Sequence, residues 1–134
     1  QPAAKILILA DTSVWIEYLR EKSPYKQILR HHLEQGNIIT TAAIFGELLQ
    51  GASSQKDADR ILSYFNALPQ IESDAALWIE AGLLSYSKKA RSRGIGLVDM
   101  AIVCSARRRC ARIWSRDKAL LTLLTKEEKY HAKN

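Results

Sequence analysis

Short apolar runs alternate along the chain with longer stretches in which apolar residues recur every three or four positions. The apolar runs predict four strands, at residues 5–10, 37–40, 68–72 and 111–114. The helical periods between them predict seven helices, at residues 12–21, 25–35, 41–50, 57–67, 73–90, 98–109 and 117–124. Strands alternating with helices favour an α/β domain built around a mostly parallel sheet.

Length and composition are those of one globular domain. The chain has 134 residues, of which 47% are hydrophobic, and this is enough to bury a real core. The first apolar run, Ile6 to Ala10, is too short to span a bilayer or to direct secretion, so we expect a cytoplasmic protein with no membrane association. Cys104 and Cys110 are too few for a disulfide framework or a zinc site, and we expect both to be reduced packing residues.

Positive charge is concentrated in the second half of the chain. Residues 1–67 carry seven basic and seven acidic side chains, whereas residues 68–134 carry 13 basic and seven acidic side chains. The second half therefore supplies the whole net charge of +6. Such a basic block favours binding to a polyanion or to an acidic protein. A solvated surface would have the same composition, so charge alone leaves both interpretations open.

Four carboxylates stand where an α/β fold would place a ligand site. Ligands of open parallel sheets bind outside the carboxyl ends of the strands. Asp11 directly follows the first apolar run, and Asp117 lies three residues beyond Trp114 in the last one. Asp99 stands at the start of the sixth predicted helix. Glu47 lies in the middle of the third helix on a small apolar face, which would direct it towards the body of the protein.

Each of these residues also has a purely structural explanation. Asp11, Asp99 and Asp117 stand where helix N-caps are expected, and Asp is a favoured cap. Glu47 could carry a solvated head group, as most glutamates do. The four together favour a different interpretation, because clustered carboxylates repel one another unless a cation is bound. Hard divalent cations such as Mg²⁺ take oxygen ligands, so the set predicts a metal site.

Four segments around these acids occur in a recognisable order. They are residues 10–17 (ADTSVWIE), 47–51 (ELLQG), 96–102 (GLVDMAI) and 113–117 (IWSRD). In this order they resemble the acidic motifs of PIN-domain ribonucleases, especially the VapC toxins of bacterial toxin–antitoxin pairs. The resemblance extends over about residues 5–124, which is most of the chain. Ser115 stands where the family often has threonine, and the lysine-rich C-terminus departs from relatives that add a final strand.

The resemblance implies a fold and a domain boundary. The fold is a PIN-like three-layer α/β/α sandwich with a central, mostly parallel sheet of four or five short strands. The nuclease domain would comprise residues 1–125, followed by a polar tail at residues 126–134.

The resemblance also implies an activity, which is that of a Mg²⁺- or Mn²⁺-dependent endoribonuclease that hydrolyses RNA with a metal-activated water. Asp11, Glu47, Asp99 and Asp117 would be the catalytic residues and would hold one or two metal ions. Ser13 and Ser115 would orient carboxylates or waters by hydrogen bonding. We expect His31 and His32 to be surface residues without a catalytic role.

RNA must approach this acidic site despite its own negative charge. The basic block offers a compensation, and the residues expected to bind the RNA backbone are Arg116, Lys118, Arg93 and Arg91. The resemblance implies a tRNA or rRNA loop as the target. The family further implies a VapB-like antitoxin, whose flexible C-terminal segment covers the toxin groove and often places a basic side chain near the carboxylates, and a homodimer.

Two other functions remain open at this stage. A non-catalytic PIN-like module would bind RNA or protein without cleaving it, although the presence of all four acidic residues is against this. A receiver-like phosphoacceptor domain is also an α/β fold with clustered aspartates. It would need paired acids directly after the first strand and a lysine at a late strand end, and the chain does not show that set clearly.

Overall fold

The computed structural model of the protein describes residues 5–132. Ten elements form its α/β framework. They are β1 (Ile8–Ala10), α1 (Thr12–Leu19), α2 (Tyr25–Glu34), β2 (Ile38–Ile39), α3 (Ala42–Gln50), α4 (Gln55–Ala67), α5 (Ala75–Lys88), α6 (Leu97–Arg109), β3 (Arg112–Trp114) and α7 (Lys118–Leu121). Short 3-10 helices at Arg91–Arg93 and Lys126–Glu128 complete the order. Residues 1–4 and 133–134, the ends of the predicted domain and tail, lie outside the described range.

The sheet is parallel and has the strand order β2-β1-β3. Ile8 is in register with Ile38 on one side and with Arg112 on the other. All three residues of β1 have an exposed fraction of 0%. Because successive side chains of a strand point to opposite faces, the central strand is covered on both faces. The predicted α/β class with a parallel sheet is confirmed.

The predicted number of four or five strands is wrong, because the described residues contain a sheet of three. In the predicted strand at residues 68–72, only Gln70 pairs, in a single parallel bridge with Thr40. Pro69 has no N–H to donate, so a ladder cannot extend through it. In the tail, Lys129 makes one comparable bridge with Ile113.

Helix α6 runs between two apolar clusters. Ile102, Val103 and Ala106 belong to the main core around the sheet. Met100 and Cys104 belong to a second cluster, which joins α6 to α5. The helix therefore contacts protein on several sides, which confirms the prediction that it is buried. Its last residues are exposed, and Cys110, which follows it, is a free and exposed cysteine, so the packing role predicted for Cys110 is wrong.

Residues that follow α7 pack against the edge of the sheet. The backbone N–H of Tyr130 donates to the carbonyl of Ile113 at 2.8 Å, and its ring lies 5.1 Å from that of Trp114. Arg107 and Glu128 form an ion pair at 2.7 Å. The domain boundary at residue 125 stays a prediction. No helix in the described part of the chain has the length and apolar character needed to cross a membrane.

Candidate functional site

The carboxyl edge of the sheet brings the four predicted acidic residues into one neighbourhood. Asp11 follows β1, Asp117 follows β3, and Glu47 is carried by α3 after β2. Asp99 lies in the first turn of α6. Partial burial raises the pKa of Asp99 above its ordinary value, and the charges of Asp117, Glu47 and Asp11 raise it further, against a hydrogen bond from the backbone of Gly96. We call these four residues the acidic centre.

Asp11 is the most enclosed member of the acidic centre, with an exposed fraction of 5%. Ser13 donates its hydroxyl to Oδ1 at 2.5 Å, and the backbone N–H of Val14 donates to the same oxygen at 3.3 Å. Ser115 donates its hydroxyl to Oδ2. Burial raises the pKa of Asp11, and the hydrogen bonds from Ser115 and Ser13 oppose that rise. Both serines therefore lie where they can orient this carboxylate.

Ser115 also links Asp11 to Asp117. Its Oγ accepts a hydrogen bond from the backbone N–H of Asp117 at 2.9 Å. Oδ1 of Asp117 accepts from the backbone N–H groups of Ala119 and Leu120, at 3.0 Å and 3.3 Å, and so caps α7. One hydroxyl thus fixes the spacing between the ends of β1 and β3.

The capping explanation holds for two of the three aspartates. Asp11 caps α1 and Asp117 caps α7. It is wrong for Asp99, because Gly96 is the N-cap of α6 and Asp99 is the third residue of that helix. Asp99 does not cap a helix, so capping does not explain an aspartate at this position.

Glu47 is held by a residue that sequence reasoning missed. The hydroxyl of Thr12 donates to Oε1 of Glu47 at 2.8 Å. Glu47 is exposed, so it does not have the inward position that its apolar neighbours predict. The contact directs the carboxylate towards α1 nonetheless. The signal was the position of Thr12, which directly follows Asp11 and is the first residue of α1.

Donor chemistry at the acidic centre fits a hard cation that keeps part of its water shell. Within residues 5–132, no group of three or more His, Cys, Asp or Glu side chains has the geometry to hold a metal ion alone. Each cap uses Oδ1 of its aspartate, and no hydrogen bond among the described residues reaches Oδ2 of Asp117 or Oε2 of Glu47. Mg²⁺ commonly binds through one or two carboxylates and retains several waters. Oδ2 of Asp117 and Oε2 of Glu47 are oxygen donors of the kind that such a cation takes.

The basic residues expected to bind RNA fall into two groups. Arg116 and Lys118 flank Asp117 and are exposed. Arg91 and Arg93 lie in the 3-10 helix before α6, where Arg93 donates to the hydroxyl of Thr122 at 2.5 Å. All four residues are exposed and lie outside the core.

Two further arginines have structural partners. Arg107 pairs with Glu128 at 2.7 Å, and Arg108 pairs with Asp74 at 3.2 Å. These pairs join the end of α6 to the 3-10 helix at Lys126–Glu128 and to the cap of α5. We therefore assign them to the framework and not to the acidic centre.

The histidines take no part in the acidic centre. His32 shares a hydrogen bond with the hydroxyl of Tyr130 at 2.7 Å and another with the side-chain amide of Asn37 at 2.9 Å. Those contacts join α2 to the tail and to the approach to β2. His32 is partly buried rather than a free surface residue, and His31 is exposed.

Comparison with known proteins agrees with this architecture. The family model of the PIN domain matches residues 8–123. The chain belongs to the PIN-domain family. It is 29% identical over 116 residues to Ribonuclease VapC11 of Mycobacterium tuberculosis, and the match covers 83% of this chain and 87% of that protein.

Solved structures share the fold. VapC20 of M. tuberculosis, described as a Sarcin-Ricin loop cleaving toxin, matches with a TM-score of 0.70 and 15% identity, over 92% of this chain and 99% of that chain. VapBC-1 of nontypeable Haemophilus influenzae matches with a TM-score of 0.67 and 21% identity, over 87% of this chain and 91% of that chain. The PIN-like architecture is thus established, and the predicted resemblance to VapC toxins is confirmed.

Proposed function

We propose that the protein is a metal-dependent endoribonuclease and the toxin of a toxin–antitoxin pair. The observation that carries the proposal is the meeting of Asp11, Glu47, Asp99 and Asp117 at one edge of the sheet, where burial raises the pKa of Asp99 and the charges of the other three raise it further. Curated relatives that cover most of the chain are named as VapC ribonucleases.

Residues of the acidic centre would hold Mg²⁺ or Mn²⁺ through their free oxygens. When bound, such a cation lowers the pKa of a coordinated water and neutralises negative charge on a phosphate. Ser13 and Ser115 keep the Asp11 carboxylate in one orientation. Thr12 does the same for Glu47. These three contacts hold the Asp11 and Glu47 carboxylates in place before substrate arrives, so little reorganisation is needed during the reaction.

RNA is the substrate in this proposal. Without a cation the acidic centre repels a phosphodiester, and basic side chains near it reduce that repulsion. Arg116, Lys118, Arg93 and Arg91 are the residues that we assign to the RNA backbone. A structured tRNA or rRNA loop is the favoured target, and the description of VapC20 as a Sarcin-Ricin loop cleaving toxin supports an rRNA loop.

A VapB-like antitoxin is the proposed partner, and both proteins would act in the cytoplasm. Several structural relatives are described as VapBC or toxin–antitoxin complexes. A cavity of about 410 Å³ lies beside Glu47 and has an apolar wall that includes Ile16, Leu48 and Ile61. An antitoxin segment with apolar side chains and one basic side chain would fit this cavity and reach the acidic centre.

Homodimerisation completes the proposal. Helix α5 presents three large apolar side chains to solvent, Ile79, Leu83 and Tyr86, with exposed fractions of 67%, 65% and 85%. They recur at helical spacing, so they form one row. A second copy of the chain would cover this row with the same row of its own, as two-fold interfaces do.

A cleavage assay tests the nuclease. The purified chain is incubated with total tRNA and rRNA in Mg²⁺ or in EDTA, beside Asp11→Asn, Asp99→Asn and the surface control Asp59→Asn. We expect cleavage by the wild type and by Asp59→Asn in Mg²⁺ only, and none by the other two variants. Cleavage in EDTA, or by Asp11→Asn and Asp99→Asn, contradicts the assignment. Retention of RNA without any cleavage products identifies the non-catalytic module instead.

The toxin role has its own test. Expression of the wild type should arrest growth, expression of Asp99→Asn should not, and co-expression of a small neighbouring gene should relieve the arrest. Failure of every neighbouring gene to relieve it would indicate a nuclease without an antitoxin.

A further inference from the structure

A second network begins beside the acidic centre and involves none of the free carboxylate oxygens. The backbone N–H of Arg116 donates to Oγ of Ser13 at 3.0 Å, and the same Ser13 donates to Asp11. The side chain of Arg116 contacts both α1 and α2. Its Nη1 lies 3.0 Å from Oε1 of Glu17, and its guanidinium carbon lies 5.5 Å from the centre of the Tyr25 ring.

The partners of Arg116 are more buried than Arg116 itself. The side chain of Glu17 has an exposed fraction of 18%, against 48% for Arg116. The Tyr25 ring stacks on the buried Trp114 at 5.9 Å. Glu17 and Tyr25 therefore form a clamp that the core supports, and the side chain of Arg116 in the clamp stays partly exposed.

A clamp of this kind needs more than a stabilising role to explain it. An ion pair with a partly exposed arginine typically contributes little to stability. Arginine has five N–H donors in a fixed fork, and a contact through Nη1 leaves others available to an anion. The pre-organised planar fork matches the oxygens of a phosphate group.

The clamp and the acidic centre are connected through helix α1. Ser13 and Glu17 are four residues apart on α1, so their side chains lie on the same face at a separation of roughly 5–6 Å between Cβ atoms. The guanidinium beside Glu17 is therefore about one helical turn from the Ser13 hydroxyl that orients Asp11. A strand of RNA with one phosphate at the acidic centre would present its next phosphate to this neighbourhood.

We propose that Arg116 binds the RNA phosphate next to the one that is cleaved, and that Glu17 and Tyr25 are positioning residues that hold its guanidinium there. This inference rests on the proposed ribonuclease function and specifies how that site holds its substrate. The partial exposure of Arg116 leaves it available to RNA, and the fixed partners limit the rotamers it must give up on binding.

Binding without cleavage tests the phosphate contact. Affinity of the full chain for a fluorescein-labelled oligouridine of about twelve nucleotides is measured by anisotropy in EDTA, between roughly 50 and 200 mM NaCl. Arg116→Ala should weaken binding roughly tenfold at the lowest salt. It should also reduce the slope of log K against log salt by about 0.7, the value for one phosphate contact on a single strand.

A matched variant controls for the loss of one positive charge. Arg109 is exposed at the end of α6, ten residues from Asp99, which corresponds to about 15 Å along the helix. Arg109→Ala should keep the wild-type slope. An unchanged slope in Arg116→Ala overturns the proposal, and so does an equal loss of slope in Arg109→Ala.

Single-turnover cleavage in Mg²⁺ tests the positioning residues. Glu17→Gln should bind the oligouridine as well as the wild type or more tightly, because it removes a negative charge near the RNA, yet cleave roughly tenfold more slowly. Tyr25→Leu should also cleave more slowly, and Tyr25→Phe should restore the rate because it keeps the ring face. A residue with a purely structural role would change the melting temperature without this split between binding and rate.

The outcomes separate the two proposals. If the wild type binds the oligouridine but cleaves no RNA, the proposed function fails, and the slope of Arg116→Ala alone decides the phosphate contact. If the wild type cleaves and Glu17→Gln cleaves equally fast, the nuclease stands and the positioning role of Glu17 is rejected.

Discussion

Two serine hydroxyls position Asp11 at the acidic centre through hydrogen bonds. Ser13 and Ser115 each donate to one oxygen of Asp11, and each accepts a backbone N–H from the segment after β3. A buried carboxylate without such donors would favour its neutral form. The serines thus lower the cost of keeping Asp11 charged inside the protein, and they tie the start of α1 to the end of β3.

Removal of the Ser115 hydroxyl should therefore affect stability as well as activity. Ser115→Ala leaves Oδ2 of the nearly buried Asp11 without its donor, and an unsatisfied buried group costs about 1–3 kcal/mol. We expect a loss of that size in urea unfolding, with reduced cleavage. Ser115→Thr keeps the hydroxyl and is the matched control. Equal stability of the alanine variant and the wild type would show that water replaces the serine at no cost.

Asp99 should have the opposite effect on stability. Its raised pKa means that the charged form is disfavoured in the folded protein, so neutralisation by Asp99→Asn removes a destabilising charge at neutral pH. Water screens a half-buried side chain, and we expect a rise in melting temperature of only about 2 °C in EDTA.

In Mg²⁺ the wild type should become more stable than Asp99→Asn. Binding of Mg²⁺ to the folded wild type raises its melting temperature by mass action, and Asp99→Asn should show a much smaller rise. Differential scanning fluorimetry with and without EDTA measures both. A variant that is stabilised by Mg²⁺ as strongly as the wild type would show that Asp99 is not a ligand.

At the scale of the elements, periodicity predicts the helices well and the sheet less well. Helix α5 was predicted at residues 73–90 and extends over Ala75–Lys88, because its apolar spacing is helical throughout. The strands are only two or three residues long, so their sequences contain no repeated apolar spacing of this kind. The segment at residues 68–72 is as apolar as a strand, yet Pro69 limits it to one bridge. Pairing of a strand depends on a partner distant in sequence, which periodicity does not reveal.

The site shows the same division between local and distant information. The order of the motifs predicted the four carboxylates that meet at the edge of the sheet, because the three aspartates stand near the start of a helix and Glu47 lies in a recognisable motif. Thr12 and Glu17 were missed, since their roles depend on the approach of Glu47 from α3 and of Arg116 from the end of β3. The contacts of His32 with the tail were hidden for the same reason.

His32 connects α2 to the tail and should make stability depend on pH. Asn37 donates to Nδ1, so in this network Nε2 carries the proton and donates to Tyr130. Partial burial lowers the pKa of His32 below its ordinary value of 6.5, and His31 adds to the effect. As the pH falls, His32 therefore binds its second proton in the unfolded chain before it does so in the folded protein. The contribution of neutral His32 to stability is thus complete above pH 6.5 and is lost as the pH falls below that value.

Urea unfolding at about pH 7.5 and pH 5.5 measures this contribution. Between these two pH values, the free energy of unfolding should fall further for the wild type than for His32→Gln. The difference should be below about 1 kcal/mol, because water screens a partly exposed ring. Identical pH dependence of the two proteins would exclude His32 as the source.

For the whole molecule, the distribution of charge and of apolar surface assigns separate surfaces to separate partners. Acidic residues converge at the carboxyl edge of the sheet, and exposed basic residues lie in the 3-10 helix before α6 and on either side of Asp117 along the chain. The exposed apolar row on α5 lies on a different element, whose other face packs on α6. A dimer formed through this row would leave the acidic centre open to RNA or to an antitoxin.

Replacement of one residue in the row tests that arrangement. Leu83→Glu puts a charge in the middle of the row, and two copies related by a two-fold axis would bring two such charges together, which opposes association. We expect the wild type to elute as a dimer in size-exclusion chromatography with light scattering, and Leu83→Glu as a monomer. Leu62→Glu makes the same change at another exposed leucine, on α4, and should remain dimeric. A monomeric wild type would contradict the homodimer, and dissociation by both variants would show that the interface is not confined to α5. Since the acidic centre lies elsewhere, a monomeric Leu83→Glu should still bind Mg²⁺, so a thermal shift with Mg²⁺ separates loss of the dimer from loss of the fold.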